Sequence, residues 1–455
     1  MKPSHSIQET HDVAQVARRA RRASRLLATL SATRRDEVLI AAAAALEQRR
    51  DEILAANDLD CDAATVEVEA GRMSRAMFDR LKTSARGVGA MAEQVRGVAR
   101  LPDPLNRMLT ATKLDDDLIL HKVSCPLGVV CVIFESRPDV VPQVVSLALK
   151  SGNAIILKGG TEAAHTNAAL VQVWHELFQS FGDIPVDAVS LLHTREEVGQ
   201  ILALERDIDL VIPRGSQAFV RYIGEHSRIP VLGHGEGVCH VYVDSAADLE
   251  KAAAIVLDSK VQYPAACNAA ETLLVHGDVA ENFLPASVGR LRAAGVEVRG
   301  CSRTISLAGT NDIVPATDDD WAAEYSDLII SIKVVDDTEE ALAHIDAYGS
   351  RHTETIVTED AATARHFMTS VDAAGVFHNA STRFADGYRY GLGAELGIST
   401  GKLHARGPVG LEGLTTYKYK LFGNGQVVST YASGERAFKH QPLSQSTTDK
   451  SKEEK

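Results

Sequence analysis

An α/β protein of doubly wound parallel sheets is what the sequence predicts, and three observations predict it. The first hundred residues carry apolar side chains at helical spacing, with no strand pattern among them. From residue 126, near-continuous apolar runs alternate with helical segments, the order of parallel strands joined by crossover helices. A second series of the same kind opens near residue 246.

The helical start is read at 13–30, 34–57 and 70–98, with Asn57-Asp58 as a stop signal and Pro102-Asp103-Pro104 as a turn. Two β-prone runs, 108–112 and 118–123, flank Asp115-Asp116-Asp117, an acidic stretch read as a solvated loop. In the first α/β series strands are expected at 128–135, 154–157, 188–192 and 209–212. Helices are expected between them at 140–150, 161–181 and 196–204, and after them at 217–226. The second series gives strands at 271–276, 296–299, 328–335, 355–358 and 376–379, with helices at 249–257 and 339–347. Glycines crowd 388–413, a functional loop or crossover. Runs 415–421 and 426–428 around Phe422-Gly423-Asn424-Gly425 predict a hairpin, and polar residues 441–455 predict a disordered tail.

A chain of 455 residues is long enough for two or three domains. Its net charge of −13 argues against nucleic-acid and membrane partners, although a local cationic pocket could still take an anionic substrate. The six cysteines lack metal-ligand spacing, so no metal is expected, and free thiols suit a reducing, cytoplasmic compartment. No apolar run approaches the ~18 residues that span a bilayer. Phosphate-loop, HExxH and GxSxG motifs are absent, which disfavours an ATPase, a zinc hydrolase or an α/β-hydrolase.

Cys267 stands among small residues in Tyr263-Pro264-Ala265-Ala266-Cys267-Asn268-Ala269-Ala270, between a helix and an apolar strand. A thiolate there has room to attack an acyl carbon and hold a thioester, a good hydride acceptor. A cysteine also serves as a small buried hydrophobe, and spacing alone does not separate the two. Lys158-Gly159-Gly160 and Pro213-Arg214-Gly215-Ser216 each follow a buried strand and precede a helix, where bare backbone and helix amides meet ribose or phosphate. Arg137 is a cation at another strand's end, suited equally to an anionic ligand or a surface ion pair.

Taken together, the segments CPLGVVCVIFESRPD (125–139), LKSGNAIILKGG (149–160), IPRGS (212–216), CHVYVD (239–244), CNAAETLLVH (267–276) and GAELGISTGKLHARGPVGLEGLTTYKY (393–419) resemble the γ-glutamyl phosphate reductase family. That family, also called glutamate-5-semialdehyde dehydrogenases, lies within the aldehyde dehydrogenase superfamily. The segment Leu232-Gly233-His234-Gly235-Glu236-Gly237 looks more like the reductase half of eukaryotic bifunctional enzymes and their fungal relatives. The resemblance implies NADPH-dependent reduction of L-glutamyl 5-phosphate in proline biosynthesis, by an aldehyde dehydrogenase-like fold.

By position, Cys267 matches the nucleophile, Lys158, Gly159 and Gly160 the adenosine-ribose turn, and Gly215 and Ser216 the pyrophosphate turn. Glu324 aligns with the glutamate of the nicotinamide ribose. Asn268, Arg137, Arg383, His404 and Arg406 match motif positions assigned to substrate or to framing the active site. Oxidative relatives carry a general-base glutamate where this chain has Gly233, and a reductase has reason to avoid water activation there. The resemblance further implies a cofactor domain (1–104 and 124–244, with 380–412), a catalytic domain (245–379) and an oligomerisation arm (105–123 and 413–440). It makes glutamate 5-kinase a plausible partner. An acylating dehydrogenase that uses coenzyme A and an inactive dehydrogenase-fold binding protein are the competing readings.

Overall fold

The computed structural model describes residues 12–444 apart from His234 and Asn311. The chain divides into two compact units. One comprises Met1–Gly215, Ile223–Val231 and Gly410–Lys455; the other comprises Ser216–Tyr222 and Leu232–Val409.

The first unit begins with helices Val13–Leu27, Ala32–Gln48, Arg50–Glu69, Arg75–Leu81 and Ala85–Ala99. Asp12, Ser31, Ser74 and Ser84 cap four of them by accepting backbone N–H groups. The expected stop at Asn57 is wrong: Arg50–Glu69 runs straight through it. Asn57 is buried there, donating to Leu81 O at 3.0 Å and Thr166 Oγ1 at 3.2 Å and accepting from Thr83 N–H at 2.9 Å. Those tertiary bonds outweigh asparagine's weak local preference for turns. The break comes earlier, at Arg49, which leaves helical geometry at φ −96°, ψ 16°.

A four-stranded parallel sheet follows, in the order Val189–Leu192, Ala154–Lys158, Val129–Phe134, Leu210–Arg214. All six residues of Val129–Phe134 are buried, as a strand covered on both faces requires. Helices Val140–Lys150 and Ala164–Phe181 flank these strands in the chain and bury Val144, Val145, Leu170 and Trp174.

The unit also carries an antiparallel sheet in the order Thr415–Phe422, Leu118–Pro126, Met108–Asp115, Gln441–Leu443. This corrects three expectations. Thr415–Phe422 pairs with Leu118–Pro126 rather than with a strand at 426–428, and Val428–Ala432 is a short helix. Residues 441–443 are a strand on Met108–Asp115, while the remainder of the expected tail, 445–455, lies outside the described residues. Asp115 is buried, not solvated: Tyr431 Oη donates to it at 2.9 Å and Arg436 pairs with it at 2.8 Å. The acidic run clasps the returning C-terminal segment.

The second unit is built on seven parallel strands in the order Val314–Pro315, Glu297–Gly300, Ile329–Val335, Ala270–His276, Cys239–Val243, Thr353–Val357, Gly375–His378. Cys239–Val243, grouped with the first series in sequence, pairs here with Ala270–His276 and Thr353–Val357. Its five residues are all buried, and a neighbour on each side satisfies its backbone. Helices Leu249–Val261 and Gly277–Ala293 pack Val256, Phe283, Leu284 and Val288 against Val241, Leu273 and Ile332.

Candidate active site

Three adjacent strands of the second unit's sheet bring their amino ends together, and each is preceded by a residue that shapes the site. Cys267 precedes Ala270–His276, Gly237 precedes Cys239–Val243, and His352 precedes Thr353–Val357. Parallel pairing makes these starts neighbours although up to 115 residues separate them in the chain. His352 Nε2 lies 3.3 Å from Cys267 Sγ, and its Nδ1 lies 2.8 Å from Thr353 Oγ1. The Cys239 thiol donates to Cys267 O at 3.3 Å. At Gly237 an added Cβ would sit 2.2 Å from Cys267 O and 2.7 Å from its Cα, so this glycine lets one backbone lie on another.

The Cys267 thiol is pushed up to about 12, first by desolvation and then by the charges of Glu324 and Glu395. Arg383 acts in the opposite direction. Its guanidinium is buried, donates from Nε to Gln262 Oε1 at 2.9 Å, and lies 5.8 Å over the Tyr263 ring. Asn268 is buried too, but its amide donates to Ala385 O at 2.7 Å, tying the cysteine loop to the Thr382–Phe384 turn. Glu324 thus stands in electrostatic reach of Cys267, as do Arg383 and Glu395.

The other predicted positions are placed differently. Arg406 is held by Asp372 through Nη1 at 2.7 Å and Nη2 at 3.1 Å, beside Lys402. His404 is exposed. In the first unit, Lys158 is buried with its ammonium donating to Gly159 O at 2.5 Å, and desolvation pushes its titration down. Gly159 and Gly160 are bare because internal side chains fill their space: Cβ atoms there would lie 2.1 Å from Asn167 Nδ2 and 1.9 Å from Glu162 Oε1. Gly215 and Ser216 follow strand Leu210–Arg214, and the division between the units falls between them. Arg137 is half-buried after strand Val129–Phe134.

Sequence reasoning missed His352 and Gly237. Both lie in motif-like stretches, His352-Thr353-Glu354 and Gly235-Glu236-Gly237, but only the strand order shows that they meet Cys267. Among the described residues, no group of three metal-ligating side chains occurs and no helix is long and apolar enough to cross a membrane.

A nucleophile-type cysteine beside a histidine, on a parallel sheet that accompanies a second doubly wound unit, defines the class: an aldehyde dehydrogenase-like oxidoreductase. The aldehyde dehydrogenase family model matches residues 4–300. A γ-glutamyl phosphate reductase of Natronomonas pharaonis is 55% identical over 416 residues, 91% of this chain and 94% of its own. The crystal structure of the Thermotoga maritima γ-glutamyl phosphate reductase superposes with a TM-score of 0.88 at 40% identity, covering 91% of this chain and 99% of that one. The Saccharomyces cerevisiae γ-glutamyl phosphate reductase is 36% identical, covers 92% and 99%, and has a TM-score of 0.50. The chain belongs to the γ-glutamyl phosphate reductase family.

Proposed function

We propose that this chain reduces L-glutamyl 5-phosphate to L-glutamate 5-semialdehyde and phosphate, with NADPH as electron donor and Cys267 as acyl carrier. The observation that carries the covalent mechanism is the 3.3 Å approach of His352 Nε2 to Cys267 Sγ. The substrate follows from relatives that match almost end to end.

The residues fit the cofactor. The turns after strands Ala154–Lys158 and Leu210–Arg214 stand at the carboxyl ends of the two strands that flank Val129–Phe134, where doubly wound sheets take nucleotides. Lys158, Gly159, Gly160, Gly215 and Ser216 would hold the adenosine and pyrophosphate portions, and Glu324 the nicotinamide ribose. When bound, NADPH supplies the hydride that reduces the thioester carbonyl.

At neutral pH Cys267 is a neutral thiol, so a base must take its proton as sulfur attacks. With Nδ1–H turned to Thr353 Oγ1, His352 presents the Nε2 lone pair to Sγ–H. Sulfur bonds to the γ-carbonyl carbon, the bond from that carbon to the phosphate oxygen breaks, and the proton on His352 leaves with phosphate. After reduction the carbon–sulfur bond breaks, the aldehyde departs, and a proton returned through His352 restores the thiol. The buried Arg383 guanidinium favours the negative charge that develops on sulfur. Arg137, Asn268, His404 and Arg406 serve the substrate or its frame, Asn268 by anchoring the nucleophile's loop and Arg406 through Asp372.

In the same reading the first unit is the cofactor half and the second the catalytic half, and the enzyme works in the cytoplasm beside glutamate 5-kinase. The antiparallel sheet is the oligomerisation arm of a homo-oligomer. Its outer strand, Thr415–Phe422, exposes Tyr417, Tyr419, Leu421 and Phe422, a surface suited to pairing with a second copy. The test is NADP-dependent oxidation of pyrroline-5-carboxylate by wild type and Cys267→Ala. Activity that needs no phosphate removes the acyl-phosphate reading; full activity without the thiol removes the covalent one.

A further inference from the structure

His352 is the last residue of a short connection, 349–352, that leads from helix Thr338–Tyr348 into strand Thr353–Val357. A side chain at the start of a strand is aimed only as well as the backbone in front of it is held. Here that backbone turns abruptly. Arg351 sits at φ 62°, a left-handed conformation that residues other than glycine rarely adopt, so the surroundings must hold it.

The turn is held from two sides. Towards strand Gly375–His378, Arg351 O and His352 O accept from Ala374 N–H and Gly375 N–H, each at 2.9 Å. Towards strand Cys239–Val243 the regular ladder does not continue. Its register pairs Glu354 with His240, and two residues further back would set His352 opposite Val238. Ser350 meets Val238 instead. Its Oγ accepts from Val238 N–H at 2.9 Å and donates to Val238 O at 3.3 Å, and its own N–H reaches that oxygen at 3.4 Å.

Val238 is the fixed partner of the two. It is buried, adjoins a strand paired on both sides, and follows Gly237, the glycine that lets its backbone lie on Cys267. The Ser350 hydroxyl therefore fastens the loop of the histidine to the segment that supports the cysteine. Without it only the long N–H contact remains on that side, and the strained turn at Arg351 is free to relax.

We propose that Ser350 is a positioning residue for the proton transfer: by bridging both backbone groups of Val238, its hydroxyl sets the approach of His352 Nε2 to Cys267 Sγ. The proposal rests on the reading of His352 as the base and adds the group that brings it to the thiol.

The assay is phosphate- and NADP-dependent oxidation of pyrroline-5-carboxylate, with circular dichroism to verify folding. Ser350→Ala is expected to lower kcat about tenfold or more, the scale of a misplaced catalytic group, and to leave each KM within about twofold. Its residual rate should climb with pH more steeply than that of wild type, towards the profile of His352→Ala, as the thiol ionises unaided. Ser350→Thr keeps the hydroxyl and should stay within about threefold of wild type, whereas Ser350→Val, of similar volume, should match Ser350→Ala. That pair carries the comparison if Ser350→Ala does not fold. In a His352→Ala background, Ser350→Ala should cost less than about twofold, because the group it positions is gone. Alkylation of Cys267 by iodoacetamide, followed on its peptide by mass spectrometry, reads the same contact without turnover. At neutral pH it should slow about tenfold in Ser350→Ala. Wild-type kcat and pH profile in Ser350→Ala, or a threonine variant as slow as the valine one, overturn the positioning role. An equal loss in the His352→Ala background also overturns it, since it marks a purely structural serine. Wild-type kcat in His352→Ala alone removes the base reading instead.

Discussion

Gly237→Ala tests how the nucleophile is held. The new Cβ would lie 2.2 Å from Cys267 O, 2.7 Å from its Cα and 2.8 Å from its carbonyl carbon, where ordinary contact begins at 3.4 Å. The shortfall at the oxygen, 3.4 less 2.2, is about 1.2 Å, and all three clashing atoms are backbone, so no rotamer change relieves it. Either the 235–238 segment or the cysteine loop must move by roughly an ångström. A displacement of that size at a reacting atom costs about a hundredfold in rate, or about 2.7 kcal/mol of barrier. The loop is tied at its far side by Asn268 to Ala385 O, and the Cys239 thiol also donates to Cys267 O, so the strain falls on Cys267 itself. The assay is kcat for pyrroline-5-carboxylate oxidation, with circular dichroism and a melting curve to verify folding. A folded Gly237→Ala enzyme with kcat within about threefold of wild type would refute the reasoning.

Three further outcomes are expected. His352→Ala lowers kcat by about 10²- to 10⁴-fold at neutral pH and leaves a residual rate that climbs with pH as the thiol ionises unaided; a residual rate with the wild-type pH profile counts against the base. Glu271 titrates at about 7 against an ordinary 4.5, because burial outweighs the pull of Lys260, whose Nζ donates to it at 2.6 Å, and of the Ser326 N–H. Its folded value is raised, so the folded chain binds the extra proton between those two values. Its contribution to stability is therefore fully present below about 4.5 and is lost as pH rises through about 7. Urea melts of Glu271→Gln across that window should show a flatter pH slope than wild type, and an identical slope would exclude this group as its source. His344 is buried among the rings of His240, Trp321 and Tyr348, with neither ring nitrogen hydrogen-bonded among the described residues, and burial holds its titration down to about 3. His344→Phe removes two unpaired polar atoms at similar volume, so Tm should hold or rise, corresponding to a gain of up to about 1 kcal/mol; a fall of several degrees would show a partner for that ring.

The parallel strands were legible in the sequence because both faces of each are covered, and the run Val129–Phe134 therefore contains no polar residue to obscure it. Cys267 stood out only as a candidate: small neighbours between a helix and an apolar strand leave a thiol room to react, but spacing alone does not separate it from a small buried hydrophobe. Asn57 misled because its hydrogen bonds come from Leu81, Thr83 and Thr166, groups that no local window contains. The 426–428 hairpin failed similarly, since Thr415–Phe422 finds its partner some 300 residues earlier in the chain. His352 could not be read at all. Its meeting with Cys267 is created by strand order, and spacing along the chain carries no trace of it.

Glu162 Oε1 accepts from Ser136 N–H at 2.7 Å and from Ser136 Oγ–H at 2.6 Å, which has a consequence for anyone who would re-engineer this enzyme. The Lys158-Gly159-Gly160 stretch looks like an independent module that could be exchanged to alter coenzyme preference. It is not separable: Gly160 is kept bare by the same carboxylate that fixes Ser136. A swap of residues 160–162 would therefore also release Ser136 and disturb the turn that carries Arg137. A second change at 136, where φ is 35°, to a residue content with left-handed geometry, is the natural first step around that coupling.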